Sequence, residues 1–227
     1  MCGIYGIVGK TAVSRQAFIR LGMANQQRGN RTFGYATANV ETAASEPTIH
    51  RFMTPFHAQA VVGWQSCQVA LGHNGTPTNG GKIVETAVHP FASRSLLLAH
   101  NGLLLNHTQS PHWRPAMVDS EVILAGIQAH LDQPNGADLI TAITQTVSQL
   151  DGQQACWLWH QASQQLYLWR VMSPLFVFSD GQSLHFSSVR LGPIQQLLDE
   201  GIVYQFEPAT GELVAVESFP FYSPYKT

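Results

Sequence analysis

Charge is scarce in this chain of 227 residues. Charged side chains make up 11% of it, against a usual share of about 25%. Lys and Arg number 12 and Asp and Glu 14, for a net charge of -2. That balance supplies no basic patch, so nucleic acid is not an expected partner. No apolar run approaches the ~20 residues that cross a bilayer, so no membrane partner is expected. The opening Met1-Cys2-Gly3-Ile4 lacks a basic, then apolar, leader. No signal peptide is expected, and the expected compartment is cytoplasmic. Cysteine is sparse too: Cys2, Cys67 and Cys156, without a C-x-x-C pair. Such a set builds neither a disulfide framework nor a zinc knuckle. The ten histidines show no H-x-x-x-H, H-E-x-x-H or H-x-H spacing, so no metal is expected.

What is present points to a packed domain. Hydrophobic residues reach 44%, which argues against disorder. The length suits one large domain or two small ones. Ile4–Val8, Phe33–Ala38, Val69–His73 and Ser95–His100 read as strands. Apolar spacing predicts helices over Thr11–Gln27, Asp119–Leu131 and Ala137–Leu150. From Gln153 onward the period becomes two. It predicts strands at Cys156–His160, Leu166–Val171, Leu175–Phe178, Leu184–Ser187, Val203–Phe206 and Leu213–Val216, with a short helix near Val189–Leu198. Helices grouped apart from runs of strands imply an α+β domain of antiparallel sheets.

Cys2 follows the initiator Met, and small second residues permit Met1 removal. The thiol and a free α-amine would then share one residue, with reference pKa values of about 8.5 and 7.7–8.0. A neutral amine can take the thiol proton, directly or through water. By position alone, an ordinary small residue at a chain end is the favoured reading of Cys2.

Context adds to this. Cys2-Gly3-Ile4-Tyr5-Gly6-Ile7-Val8-Gly9 resembles the opening of class II glutamine amidotransferases, a branch of the N-terminal nucleophile (Ntn) hydrolases. Gln27-Arg28-Gly29-Asn30-Arg31-Thr32-Phe33-Gly34 is loosely similar to the family's Arg-Gly-x-Asp…Gly segment. Ala99-His100-Asn101-Gly102 follows a strand, and the resemblance assigns Asn101 and Gly102 to an oxyanion hole. An Asn amide and a Gly N–H are two neutral donors able to meet one developing oxyanion; Asn-Gly is also a common strand-ending turn. Val118-Asp119-Ser120-Glu121-Val122-Ile123 resembles the segment whose carboxylate grips the α-ammonium of glutamine, although Asp119 is also a good helix N-cap. Gly72–Gly80 occupies the place of the family's Gly-His-x-Arg-x-x-Thr-x-Gly. There Thr78 and Gly80 match, and Gly75 stands where an arginine would clamp the substrate carboxylate. His89-Pro90 and Phe186-Ser187-Ser188-Val189 resemble further family segments, with His89 a loop-shaping residue or pocket wall.

The resemblance implies an Ntn-hydrolase-like four-layer αββα sandwich, with residues 1–227 forming a single type-2 glutamine amidotransferase domain. It implies a glutaminase acting through a Cys2 thioester without metal or organic cofactor, feeding ammonia to a separate synthetase subunit. Implied catalytic residues are Cys2, Asn101 and Gly102; implied substrate-binding residues are Asp119, Thr76, Thr78, Arg28 and His100. Arg31, Arg94 or the backbone of Asn74–Thr78 are candidates for the missing arginine's role. Two alternatives stand beside this reading: an Ntn amidohydrolase for another amide or γ-glutamyl compound, and a non-catalytic module that keeps the fold.

Overall fold

The computed structural model describes residues 2–39, 46–64, 67–76, 84–115 and 117–222. In chain order the elements are β1 (Gly3–Gly9), α1 (Arg15–Asn25), β2 (Thr32–Ala38), β3 (Thr48–Phe52), β4 (Val69–Gly75), β5 (Phe91–Ala92), β6 (Leu96–His100) and β7 (Leu103–Leu104). Then come α2 (Asp119–Leu131), α3 (Leu139–Val147), β8 (Gly152–His160), β9 (Gln165–Val171), β10 (Phe176–Ser179), β11 (Ser183–Ser187), β12 (Gln196–Leu197), β13 (Ile202–Glu207) and β14 (Glu212–Ser218).

The strands form two sheets. One runs β12-β10-β11-β1-β4-β2-β3, the other β14-β13-β9-β8-β6-β5, with β7 attached to β8. The ladders within both are antiparallel. Alternation along each strand decides which layer a side chain serves. On β1, Ile4 and Val8 face the second sheet, while Tyr5 and Ile7 face α1. On β8, Trp157 and Trp159 face the first sheet, while Cys156 and Leu158 face the helices. Three apolar layers result. Phe18, Ile19 and Leu21 of α1 meet Tyr5, Phe33 and Tyr35 on the outside of the first sheet. Between the sheets, Ile4, Leu71 and Phe186 meet Leu97, Trp157 and Leu168. Beyond the second sheet, Val122, Ile123 and Ile127 of α2 and Ile143 and Val147 of α3 cover Leu96, Leu98 and Trp169. The order α, β, β, α is the four-layer sandwich expected above, with one helix on one face and two on the other.

Two expectations need correction. The helix expected near Val189–Leu198 does not form. Pro193 lacks an N–H and disfavours the helical region for Gly192. The segment instead turns, with Gln195 N–H bonded to the Gly192 carbonyl at 3.4 Å, and its end pairs as β12 with β10. The first helix starts at Arg15 rather than Thr11, because the Ser14 hydroxyl caps it by accepting from Ala17 N–H at 3.2 Å. No helix among the described residues is long and apolar enough to cross a membrane.

Candidate active site

The head of β1 meets the ends of β4, β6 and β11 at one end of the sandwich. Cys2, partly exposed, sits there. Its backbone N–H donates to Asn101 Oδ1 at 3.2 Å, and its thiol lies 3.7 Å from the Thr76 carbonyl oxygen. The guanidinium of Arg28, just past α1, donates through Nε to the Cys2 carbonyl at 3.0 Å. Burial pushes the Cys2 thiol above its ordinary value, with Asp119 raising it further and Arg28 opposing. Burial likewise lowers Arg28.

Asn101 is buried and locked at both levels. Its backbone exchanges two hydrogen bonds with Ala155 of β8, at 2.8 and 2.9 Å. Its side-chain amide donates to Ser188 Oγ at 3.2 Å. Ser188 Oγ also accepts from Ile4 N–H at 3.0 Å, so one hydroxyl joins β1 to the Asn101 amide. Gly102 follows against the second sheet. A Cβ there would stand 1.8 Å from the Gln153 carbonyl oxygen and 2.5 Å from His100 Nε2, so only glycine fits.

Asp119 begins α2; Val118, not Asp119, is the N-cap. Glu121 reaches back to Val118 N–H at 2.9 Å, which leaves the Asp119 carboxylate to other partners. Asp119 Oδ2 accepts from Leu104 N–H at 3.1 Å and Oδ1 from Ser120 N–H at 2.8 Å. Its side chain keeps 19% exposure, so the carboxylate is reachable from solvent. His100 is not: it is buried, and both ring nitrogens are engaged, Nδ1 with Ser120 Oγ at 3.0 Å and Nε2 with the Gln153 carbonyl at 3.1 Å.

The arginine-less segment is built differently from the resemblance. Gly75 ends β4 opposite Thr32, and a Cβ at 75 would stand 2.4 Å from Thr32 Oγ1. Arg31 N–H donates to the Gly75 carbonyl at 3.0 Å, and the Arg31 side chain is exposed beside it. Thr76 Oγ1 accepts from Asn30 N–H at 3.2 Å. Thr78 lies outside the described residues. Arg94 is excluded as a clamp. It pairs with Asp132 at 3.3 Å, at the far end of α2 from Asp119, about 20 Å away at 1.5 Å per residue.

Several supporting residues were given no side-chain role in the sequence reading. Ser188 is one. Asn25 is another: its amide donates to Ser187 Oγ and the Leu21 carbonyl, both at 2.9 Å, beneath Gly3. Asn74 is a third, donating to the Gly22 carbonyl at 2.8 Å and accepting from Tyr5 OH at 3.0 Å. His89 stacks on His73 with centroids 3.9 Å apart, below the site. Among the described residues, no group of three or more His, Cys, Asp or Glu is arranged to hold a metal.

No protein-family model matches the chain. The glutamine–fructose-6-phosphate aminotransferase (isomerizing) of Xanthomonas campestris pv. campestris is 28% identical over 152 residues, covering 64% of this chain. The chain spans only 24% of that relative's length. Among solved structures, the glutamine phosphoribosylpyrophosphate amidotransferase of B. subtilis superposes with a TM-score of 0.74 at 19% identity, covering 94% of this chain and 49% of that one. A glutamine aminotransferase class-II domain protein of Silicibacter pomeroyi superposes with a TM-score of 0.65 at 17% identity, covering 96% and 100%. At these identities the two structures speak for the fold. The chain is thus similar in sequence to part of the Xanthomonas enzyme and shares the fold of both solved proteins, and both likenesses agree with the resemblance of its opening residues to the class II, N-terminal nucleophile glutamine amidotransferase domains.

Proposed function

We propose that the chain is a glutaminase module that hydrolyses the side-chain amide of glutamine and hands ammonia to a separate synthetase. One observation carries this: the Cys2 backbone nitrogen and the Asn101 side chain are hydrogen-bonded at 3.2 Å, which sets a nucleophile and an oxyanion donor side by side.

With Met1 removed, the Cys2 nitrogen becomes an α-amine. It takes the thiol proton as Sγ attacks the amide carbon. The carbonyl oxygen turns negative and is held by Asn101 Nδ2 and the Gly102 N–H, donors that gain strength as charge develops. The amine returns the proton to departing ammonia, leaving a γ-glutamyl thioester. Water attacks the thioester by the same route and frees glutamate and Cys2. Asp119 receives the substrate α-ammonium, and Arg28 steadies the Cys2 carbonyl. In this reading the chain is one type-2 domain. The test is turnover of glutamine by the full chain, read as glutamate and ammonia; absence of both sinks the proposal.

A second reading has its own support. Thr32 fills the place from which a side chain at 75 would start. A substrate without a free carboxylate at that point, another amide or γ-glutamyl compound, would not miss the arginine.

A further inference from the structure

We propose that His100 is the positioning residue that ties the Asn101–Gly102 turn to the Asp119 carboxylate, held between the Gln153 carbonyl and the Ser120 hydroxyl. The inference rests on the glutaminase reading and deepens it. It gives His100 a part in the site other than contact with substrate.

His100 ends β6 and sits opposite Cys156 of β8. Its ring points away from solvent into a space with two polar partners. The Gln153 carbonyl, 3.1 Å from Nε2, can only accept. The Nε2 atom therefore carries a proton. In the neutral ring, Nδ1 is then the acceptor, and the Ser120 hydroxyl, 3.0 Å away, is the donor that meets it. Ser120 Oγ also lies 3.4 Å from Asp119 Oδ1, the longer of its two contacts. That carboxylate oxygen already accepts from Ser120 N–H at 2.8 Å. With the hydroxyl proton on Nδ1, the last link is the Ser120 N–H, and the order is Gln153 carbonyl, His100 ring, Ser120 hydroxyl and, through the Ser120 backbone, the Asp119 carboxylate.

Both ends of the chain reach the chemistry. At one end, Gly102 is wedged against the same Gln153 oxygen and the same His100 Nε2. Gln153 is also the residue opposite Leu103 in the β7–β8 pair. At the other end, Asp119 Oδ2 is bonded to Leu104 N–H at 3.1 Å, two residues beyond Gly102. The loop from His100 to Leu104 is thus closed by side chains at both sides. Oxyanion donor and ammonium acceptor are held at a fixed separation. Glutamine demands this, because its amide and its α-ammonium lie a fixed number of bonds apart. Preorganisation of this kind is what separates a working site from a loose one.

The experiment uses the full chain. Nitrogen-15 spectra of the imidazoles report the tautomer of His100, and steady-state kinetics report turnover. The ring should show the Nε2–H tautomer. Ser120→Ala cuts the hydroxyl link between His100 and the first turn of α2, leaves the Ser120 N–H on Asp119, and keeps the bond to Gln153. Its Michaelis constant for glutamine should rise about fivefold, the worth of one hydrogen bond, with kcat within about twofold. His100→Gln, whose amide nitrogen can reach the Gln153 carbonyl, should follow Ser120→Ala. His100→Ala frees both ends and should lower kcat by about 10², as loss of an oxyanion donor does. An Nδ1–H tautomer overturns the inference. So does a set of variants in which kcat and the Michaelis constant change in the same proportion, the mark of general loosening. If the wild-type chain does not turn glutamine over, the glutaminase reading fails by itself. The tie is then decided by the spectra, where Ser120→Ala must move the Gly102 and Leu104 amide signals for the inference to stand.

Discussion

The Cys2 backbone nitrogen donates to Asn101 Oδ1 across 3.2 Å, joining residues 99 positions apart in the chain and on opposite sheets. The pair exists only when both sheets are stacked in register. The proposed nucleophile is therefore positioned by the fold itself and not by a local motif. Replacing Cys2 with Ala should abolish glutamine turnover and leave the unfolding midpoint nearly unchanged. A thiol at a strand head contributes little packing, and circular dichroism melts would check the second half.

Asn101 should matter more to rate than to binding. Asn101→Ala should cut kcat by about 10²–10³, with a smaller change in the Michaelis constant. Ser188→Ala is the companion variant. It frees the Asn101 amide and leaves Ile4 N–H without its hydroxyl partner. A stability loss of about 1–3 kcal/mol in urea titration is expected for that buried donor, with kcat falling less than in Asn101→Ala. Equal kinetic damage from both would show that Ser188 itself meets the substrate.

Burial raises the Cys2 thiol. Its thiolate should form at higher pH than that of a free cysteine. Alkylation by iodoacetamide at pH 8 should be slower than for a small-molecule thiol, and the rate should keep climbing beyond pH 9. Cys67 and Cys156 are buried and should label only on unfolding. Mass mapping of the modified peptide checks both statements. A Cys2 rate already at its plateau by pH 8 would contradict the raised thiol.

The layers and the site were legible to different degrees. Asp119–Leu131 was read with the same bounds as α2, because an acidic start followed by apolar helical spacing is an unambiguous signal. β3 went unread: Thr48–Phe52 is a sheet-edge strand with no fully buried residue, too polar to stand out. β5 and β7 are two residues each and leave no period. In the site, Cys2, Asn101 and Asp119 were found through flanking motifs. Ser188, Asn25 and Asn74 act through partners far along the chain, and no local pattern encodes such partners. Nothing in the sequence distinguishes His100 as substrate contact from His100 as buried strut. That difference lies in the burial of its ring.

Acid should unfold this protein early. Burial pushes His73 down to about 3, with His100 adding to the shift. Burial, with His73, His100 and Arg51, holds His89 well below its ordinary value. In the unfolded chain both rings titrate near 6.5. Above that pH neither state takes a proton and these rings contribute nothing to pH dependence. As pH falls below it, only the unfolded chain binds protons, so stability is lost, and for His73 the loss continues to about pH 3. Each ring should add about 1.4 kcal/mol of loss per pH unit. Urea midpoints at pH 7, 6 and 5 should fall steeply, and His89→Leu should flatten the slope by about half. An unchanged slope in that variant would place the acid sensitivity elsewhere.

Position 75 offers the sharpest discrimination between substrates. The family resemblance puts an arginine there, yet Gly75 faces Thr32 Oγ1 so closely that a Cβ would stand 2.4 Å from it. Gly75→Arg alone should therefore fold less stably, by about 1–3 kcal/mol, the usual cost of overpacking. It should bring no gain in glutamine affinity. Thr32→Gly combined with Gly75→Arg removes the clash and restores a guanidinium able to form the stronger, charge-assisted contact with a carboxylate. If the substrate is glutamine, the double variant should lower its Michaelis constant, and an analogue amidated at the α-carboxyl should gain nothing. Arg31, hydrogen-bonded through its backbone to Gly75, is a local cation beside Arg28, whose guanidinium is on the Cys2 carbonyl. Arg31→Ala in the wild-type background should weaken glutamine and spare the amidated analogue if it supplies the clamp. Equal turnover of the two compounds by the wild type, insensitive to Arg31→Ala and to the double variant, would favour an amide without a free carboxylate as the substrate of this site.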